Sequence, residues 1–144
     1  MREILFRGKR LHDNKWIYGN FVSDCEGNPH LIEPRFFCED GHHLQYEDNT
    51  DTPVFIIPET VGQYTGLTDK NGVRIFEGDI VRTKYGRICK VVWFAPQLCW
   101  DLYPLESKSK APDTYDLFKS ENLEVIGNIY DNPEILKEGN ELYV

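Results

Sequence analysis

The chain has 144 residues, 40% of them hydrophobic and 28% charged, and a net charge of −8. That length suits one ordinary domain, or two small ones, and buries a sizeable core without a disulfide or metal staple. The acidic balance disfavours a role in coating nucleic acid. No apolar run approaches the roughly 20 residues a membrane helix needs, and the opening MREILFRGKR lacks the apolar stretch of a signal peptide. The expectation is a soluble cytoplasmic protein with no membrane partner.

Residues 2–7, REILFR, alternate polar and apolar and predict a strand with Ile4 and Phe6 on one face. Leu11, His12, Asp13 and Asn14 carry turn character, and KWIYGNFV over 15–22 is rich in aromatic and β-branched residues, so a hairpin is expected across 2–22. Asp24, Gly27, Asn28 and Pro29 mark a second turn, followed by a short strand at HLIE, 30–33. Residues 39–52 hold five acids (Glu39, Asp40, Glu47, Asp48, Asp51) and no Lys or Arg, which reads as a solvated loop. It lacks the spaced oxygen ligands about a glycine that a calcium loop requires. VFII at 54–57, between Pro53 and Pro58, reads as a short buried strand.

In the second half, VGQYTGL at 61–67 predicts a strand and Asp69-Lys70-Asn71-Gly72 a tight turn, since Asn and Gly tolerate positive φ. Val73, Ile75 and Phe76 begin the return, and Glu77-Gly78-Asp79 turns again. Residues 80–85 and 87–94 form a hairpin about Gly86, ended by Pro96; a strand at 98–103, a polar loop at 106–114 and a last strand at 123–130 follow. PEILKE, after Asn132, offers one helical turn. Nothing has the length and 3.6-residue period of an amphipathic helix, so an all-β chain is expected, with a small barrel in 61–131. Its core is expected to hold Tyr64, Ile75, Val81, Val91, Trp93, Val125 and Ile129.

The chemistry-bearing residues give few signals. Of the four cysteines, Cys89 and Cys99 sit in apolar runs, and none forms a C-x-x-C pair. A zinc site from Cys25, Cys38, His42 and His43 is disfavoured: the cysteines are far apart for a paired-ligand site, and adjacent histidines in an extended chain face opposite ways. No metal and no cofactor is expected. Glu77-Gly78-Asp79 invites an acid-pair reading, but a turn in which Asp79 caps its own backbone is preferred. Tyr18, Tyr64, Trp93 and Trp100 could stack bases or line a peptide groove, yet such aromatics are usually core. Nucleophile elbow, phosphate loop and zincin patterns are missing, and no catalytic residue is singled out. One feature opposes the global charge: Arg82, Lys84, Arg87 and Lys90 lie within nine residues, with Tyr85 at the tip of the expected hairpin. Arg82 and Lys84 share a strand face by period two. The cations either blunt an exposed strand edge, the preferred reading, or contact an acidic partner or nucleic acid. Arg82, Lys84, Tyr85 and Arg87 are the candidate partner-binding residues.

QYTGLTDKNGVRIFEGDIV at 63–81 resembles the central signature of the YopX family of phage and prophage proteins. REILFRGKRLHDNKWIYG (2–19) and LEVIGNIYDNPEIL (123–136) resemble that family's two ends, while 23–60 and 95–120 lie outside the resemblance. It implies a small, largely β protein encoded by a phage or integrated element, and brings no catalytic or ligand residue with it. The fold expected is all-β or nearly so, with an N-terminal hairpin region (1–60, including the acidic loop) packed with a small SH3-like or similar barrel (61–144). The expected function is that of an accessory protein acting as a non-enzymatic interaction module. The alternative is nucleic-acid contact through 82–90; a metal-dependent or hydrolytic enzyme ranks third. The expected partner is a host or phage protein, without tight general nucleic-acid binding. A small homo-oligomer is expected through strand edges.

Overall fold

The computed structural model describes residues 2–32, 36–37, 45–46, 54–105 and 119–136. By its contacts the chain divides into two units, residues 3–63 and 64–144.

In the first unit, β1 (Phe6–Lys9) and β2 (Trp16–Ser23) form the N-terminal hairpin, with Arg7 opposite Tyr18 and Gly8 opposite Ile17. β3 (Pro29–Ile32) pairs with β2, β6 (Val54–Phe55) pairs with β3, and Phe6 and Arg7 of β1 pair with Gln63 and Gly62, all antiparallel. β4 (Phe36–Phe37) and β5 (Gln45–Tyr46) pair with each other. Alternation sends Ile17, Leu31 and Ile56 to one face, where Phe6, Val54 and Val61 complete the cluster. Gly8 belongs to that face because any larger residue would run into Ile56. The first strand begins at Phe6 rather than at residue 2. Ile4, the apolar residue of the expected alternation, is 61% exposed and contributes nothing to the core.

The second unit takes the rest of β7 (Gly62–Thr68), then β8 (Arg74–Phe76), β9 (Asp79–Arg82), β10 (Ile88–Phe94), β11 (Cys99–Pro104) and β12 (Glu124–Asn128). β7 and β8 form a hairpin, and the other four make an antiparallel sheet in the order β11-β10-β9-β12. Ile75, Val81, Cys89, Val91, Leu102 and Leu123 are essentially inaccessible and form one core, against which Leu67, Trp100 and Val125 pack. Three residues at 120–122 form a 3-10 turn, and 133–136 are helical.

The fold is therefore all-β, with single helical turns only among the described residues. The expected barrel is not closed: β11 and β12 are the two ends of the sheet, and no ladder joins them among the described residues. Four strands of four to seven residues are too few to wrap round; small closed barrels take about five or more. Tyr64, Ile75, Val81 and Val91 are buried as the alternation expects. Trp93 keeps the parity of Val91 but sits where the β10–β11 hairpin outruns the core. It pairs there with Trp100 and is 44% exposed. Val125 and Ile129 are half-buried.

Candidate functional site

Residues 83–87 carry the chain from β9 to β10. The Thr83 N–H donates to the Arg87 carbonyl (2.9 Å), and the Gly86 N–H donates to the Thr83 carbonyl (2.9 Å). The Thr83 hydroxyl then accepts the Arg87 N–H at 3.2 Å. Gly86 closes the loop at φ +83, which a side chain resists. The buried Thr83 thus holds the corner, and Lys84 and Tyr85 are pushed outward. Tyr85 is 80% exposed, and the Lys84 ammonium lies 4.9 Å from its ring centroid.

The sequence-predicted residues divide between three places. Arg82 is the last residue of β9, directly opposite Glu124, whose carboxylate it approaches at 3.7 Å; Lys70 reaches the same carboxylate at 3.3 Å. Lys84 is on the turn and not on the strand face expected for it, because β9 ends at Arg82. Tyr85 and Arg87 stand on the same turn, while Lys90 is back in the ladder with its ammonium 5.9 Å from the Tyr103 ring.

The topology bears on why these cations are there. β9 and β10 are the inner strands of their sheet. Cations at the tip of an inner hairpin have no open strand edge beside them to blunt, so the edge-protection reading loses its basis.

Two further polar residues join the turn from far along the chain. The 3-10 turn at Ser120–Asn122 is closed by the Asn122 N–H on the Lys119 carbonyl (2.8 Å) and the Leu123 N–H on the Ser120 carbonyl (2.9 Å). Leu123 is buried in the core, which fixes that turn in place. Thr83, Lys84, Tyr85, Lys119, Asn122 and Leu123 together line a pocket of about 60 Å³. No sequence signal marked Lys119 or Asn122, since more than thirty residues separate them from the turn at 83–87.

Two acids of the central 63–81 run, Asp69 and Asp79, prove to be bracing groups. Asp69 is 5% exposed; one oxygen accepts the N–H groups of Asn71 (2.8 Å) and Val73 (2.9 Å), and the other accepts that of Val125 in β12 (2.9 Å). Burial by itself would raise its pKa. The three backbone donors, with nearby Lys70, outweigh that and hold the carboxyl below the usual range. Asp79, also buried, accepts the Phe76 N–H at 2.8 Å across a turn in which Gly78 takes φ +86. This is the backbone-capping role expected of Asp79.

Cysteine chemistry is muted. Cys89 is fully buried, and Cys99 donates weakly to Asp101 at 3.8 Å. Desolvation, then the Asp101 charge, pushes the Cys99 thiol up and keeps it protonated. Cys25 is exposed, and Cys38, His42 and His43 lie outside the described residues. Among the described residues no three His, Cys, Asp or Glu side chains gather into a metal-holding group. No helix there is long and apolar enough to cross a membrane.

Residues 5–137 match the model of a protein family described as YopX protein. The chain belongs to the YopX family. Among solved structures it is similar to the crystal structure of protein EF1440 from Enterococcus faecalis, with a TM-score of 0.59 and 21% identity over 94% of this chain and 99% of that one. At that identity the likeness concerns the fold alone. Comparison with curated proteins gave no match.

Proposed function

We propose that this YopX-family chain is a phage or prophage accessory protein of the bacterial cytoplasm that works as a non-enzymatic interaction module, with the β9–β10 turn as its contact surface. The observation that carries this reading is Tyr85, 80% exposed at the tip of an inner hairpin and flanked by Lys84 and Arg87. Exposed Tyr and Arg are the residue types on which protein interfaces concentrate their energy. The turn is also rigid, with its three internal hydrogen bonds already made, so little ordering is required when a partner binds. Weak self-association into a small homo-oligomer belongs to the same reading, through the outer strands of the sheet. Sedimentation that stays strictly monomeric at high concentration removes that part.

The test is site-specific photo-crosslinking in the bacterial host. A photoreactive residue at position 85 should give one discrete protein adduct. The same residue at Leu98, 76% exposed on another turn of the second unit, should not. Identical adducts from both positions, or none from position 85, count against the turn as contact surface.

A further inference from the structure

The pocket beside the turn narrows the chemistry of the partner, on the footing that the turn is the contact surface. We infer that Lys84 and Lys119 receive a side-chain carboxylate of an acidic peptide segment on a partner protein, with Tyr85 packing against that segment's chain.

The pocket is lined by two lysines, Lys84 and Lys119, by Thr83 and Asn122, whose side chains carry a hydroxyl and an amide, by buried Leu123 and by Tyr85. Its volume is about 60 Å³, room enough for a carboxylate on a flexible stem. Two ammonium groups, a hydroxyl and an amide N–H supply donors to both carboxylate oxygens. Arg82 and Lys70 are drawn to Glu124, so the positive charge that meets a ligand at the pocket is chiefly that of Lys84 and Lys119. Two cations suit a carboxylate or two. A nucleic-acid strand needs several phosphates neutralised at once, on a protein whose net charge of −8 repels it.

Binding is read by fluorescence anisotropy in about 0.15 M salt, with the full chain and three labelled probes: a ten-residue peptide alternating Glu and Val, its Gln counterpart, and a single strand of thymidines. The Glu peptide should saturate, with the Gln peptide at least several-fold weaker and the thymidine strand weaker than both. Lys84→Ala and Lys119→Ala should each weaken the Glu peptide roughly threefold to fivefold, as expected for solvent-exposed charge pairs. Lys119→Glu should abolish binding, and Lys90→Ala should leave it unchanged. None of these lysines belongs to the core, and an unchanged urea midpoint for each variant excludes misfolding. Equal binding of the Glu and Gln peptides, or Glu binding indifferent to Lys119→Ala, overturns the inference. Preference for the thymidine strand, lost in Arg82→Ala and Arg87→Ala, overturns it while leaving the turn as a contact surface. Failure of every probe overturns it too, and the crosslinking at position 85 then judges the turn separately.

Discussion

Two turns of the second unit are built alike and end differently. Asp69-Lys70-Asn71-Gly72 and Thr83-Lys84-Tyr85-Gly86 each begin with a buried oxygen-bearing residue and close on a glycine at φ near +80. In each, the first residue's N–H donates to the carbonyl four residues on, and the glycine N–H returns to the first residue's carbonyl. In each, the first side chain also caps a backbone N–H four residues on. The difference lies in the acceptors: a carboxylate has a second oxygen and a threonine side chain does not. Asp69 uses it to take the Val125 N–H of β12, fifty-six residues away. Among the described residues Thr83 makes no such long tie, and Lys84 and Tyr85 beyond it are exposed. One turn is a fastening within the fold, and the other is a presentation device.

The largest effect should come from breaking the fastening. Asp69→Ala leaves three backbone donors without their carboxylate, which should cost about 3 kcal/mol or more. Thr83→Ala removes one long bond and should cost about 1 kcal/mol. Urea unfolding of both variants measures the gap, with unchanged slope indicating that the states compared are the same. Equal losses would erase the distinction between the turns.

Acid should loosen the first turn selectively. Asp69 is held below its ordinary pKa of about 3.8. A carboxyl lowered in the folded state adds stability that is whole above the unfolded value and is lost as pH falls through the folded one. Asp69→Asn lacks that ionisation and also turns an amide N–H toward Val125, so it should be less stable than the parent at neutral pH. The difference should shrink between about pH 4 and pH 2. Stability measured against pH for both chains checks this; a constant difference down to pH 2 removes the ionised carboxylate from the account.

The contrast also explains what could be read in advance. The Asp69–Gly72 turn was legible, because Gly, Asn and Asp carry their turn chemistry in one residue's backbone and side chain; of the second only Gly86 was, since Thr83, Lys84 and Tyr85 read as strand while β9 ends at Arg82. Most strands were legible too, since β-branched and aromatic runs between Gly and Pro leave little choice. Ile4 and Trp93 misled because alternation tells which side of a strand a residue faces, but not where the core under that side stops. The barrel misled for a related reason: strand count and length were visible, while the ladder that would close β11 onto β12 depends on pairing between distant segments. The tie from Asp69 to Val125 and the meeting of Lys119 with Lys84 are likewise long-range, and no local pattern announces them. The inner position of β9 and β10, which undercuts edge protection for Arg82, Lys84 and Arg87, is a property of strand order alone.

A smaller effect tests whether the two turns share a backbone design. Gly72 and Gly86 both have positive φ, and neither has an atom within 4 Å of where a Cβ would stand. Alanine at either site should therefore cost only the left-handed strain, about 1 kcal/mol, and the two costs should agree. Gly78→Ala is the contrast: at φ +86 the added carbon would also sit 3.2 Å from the Tyr130 ring, so its cost should be larger. Urea midpoints of the three variants decide it. A marked inequality between Gly72→Ala and Gly86→Ala would show that one turn is held by more than its own hydrogen bonds.

The smallest effect on stability is expected where the effect on binding is greatest. Tyr85 is 80% exposed, with its ring near the Lys84 ammonium. An exposed cation–π contact is worth about 0.5–1 kcal/mol at most, and substitutions away from the core usually fall within about 0.5 kcal/mol. Tyr85→Ala should leave the urea midpoint nearly unmoved. Thr83, Gly86 and the backbone bonds of the turn remain, so Lys84 and Arg87 stay where they are. Affinity for the acidic peptide should nevertheless drop several-fold, because the ring supplies the apolar contact that two exposed lysines cannot. Tyr85→Phe keeps that contact and should restore most of the binding, which separates packing from any hydrogen bond of the phenol. If Tyr85→Ala instead destabilises the fold by as much as Thr83→Ala, the tip is a structural part of the turn, and its exposure has no bearing on recognition.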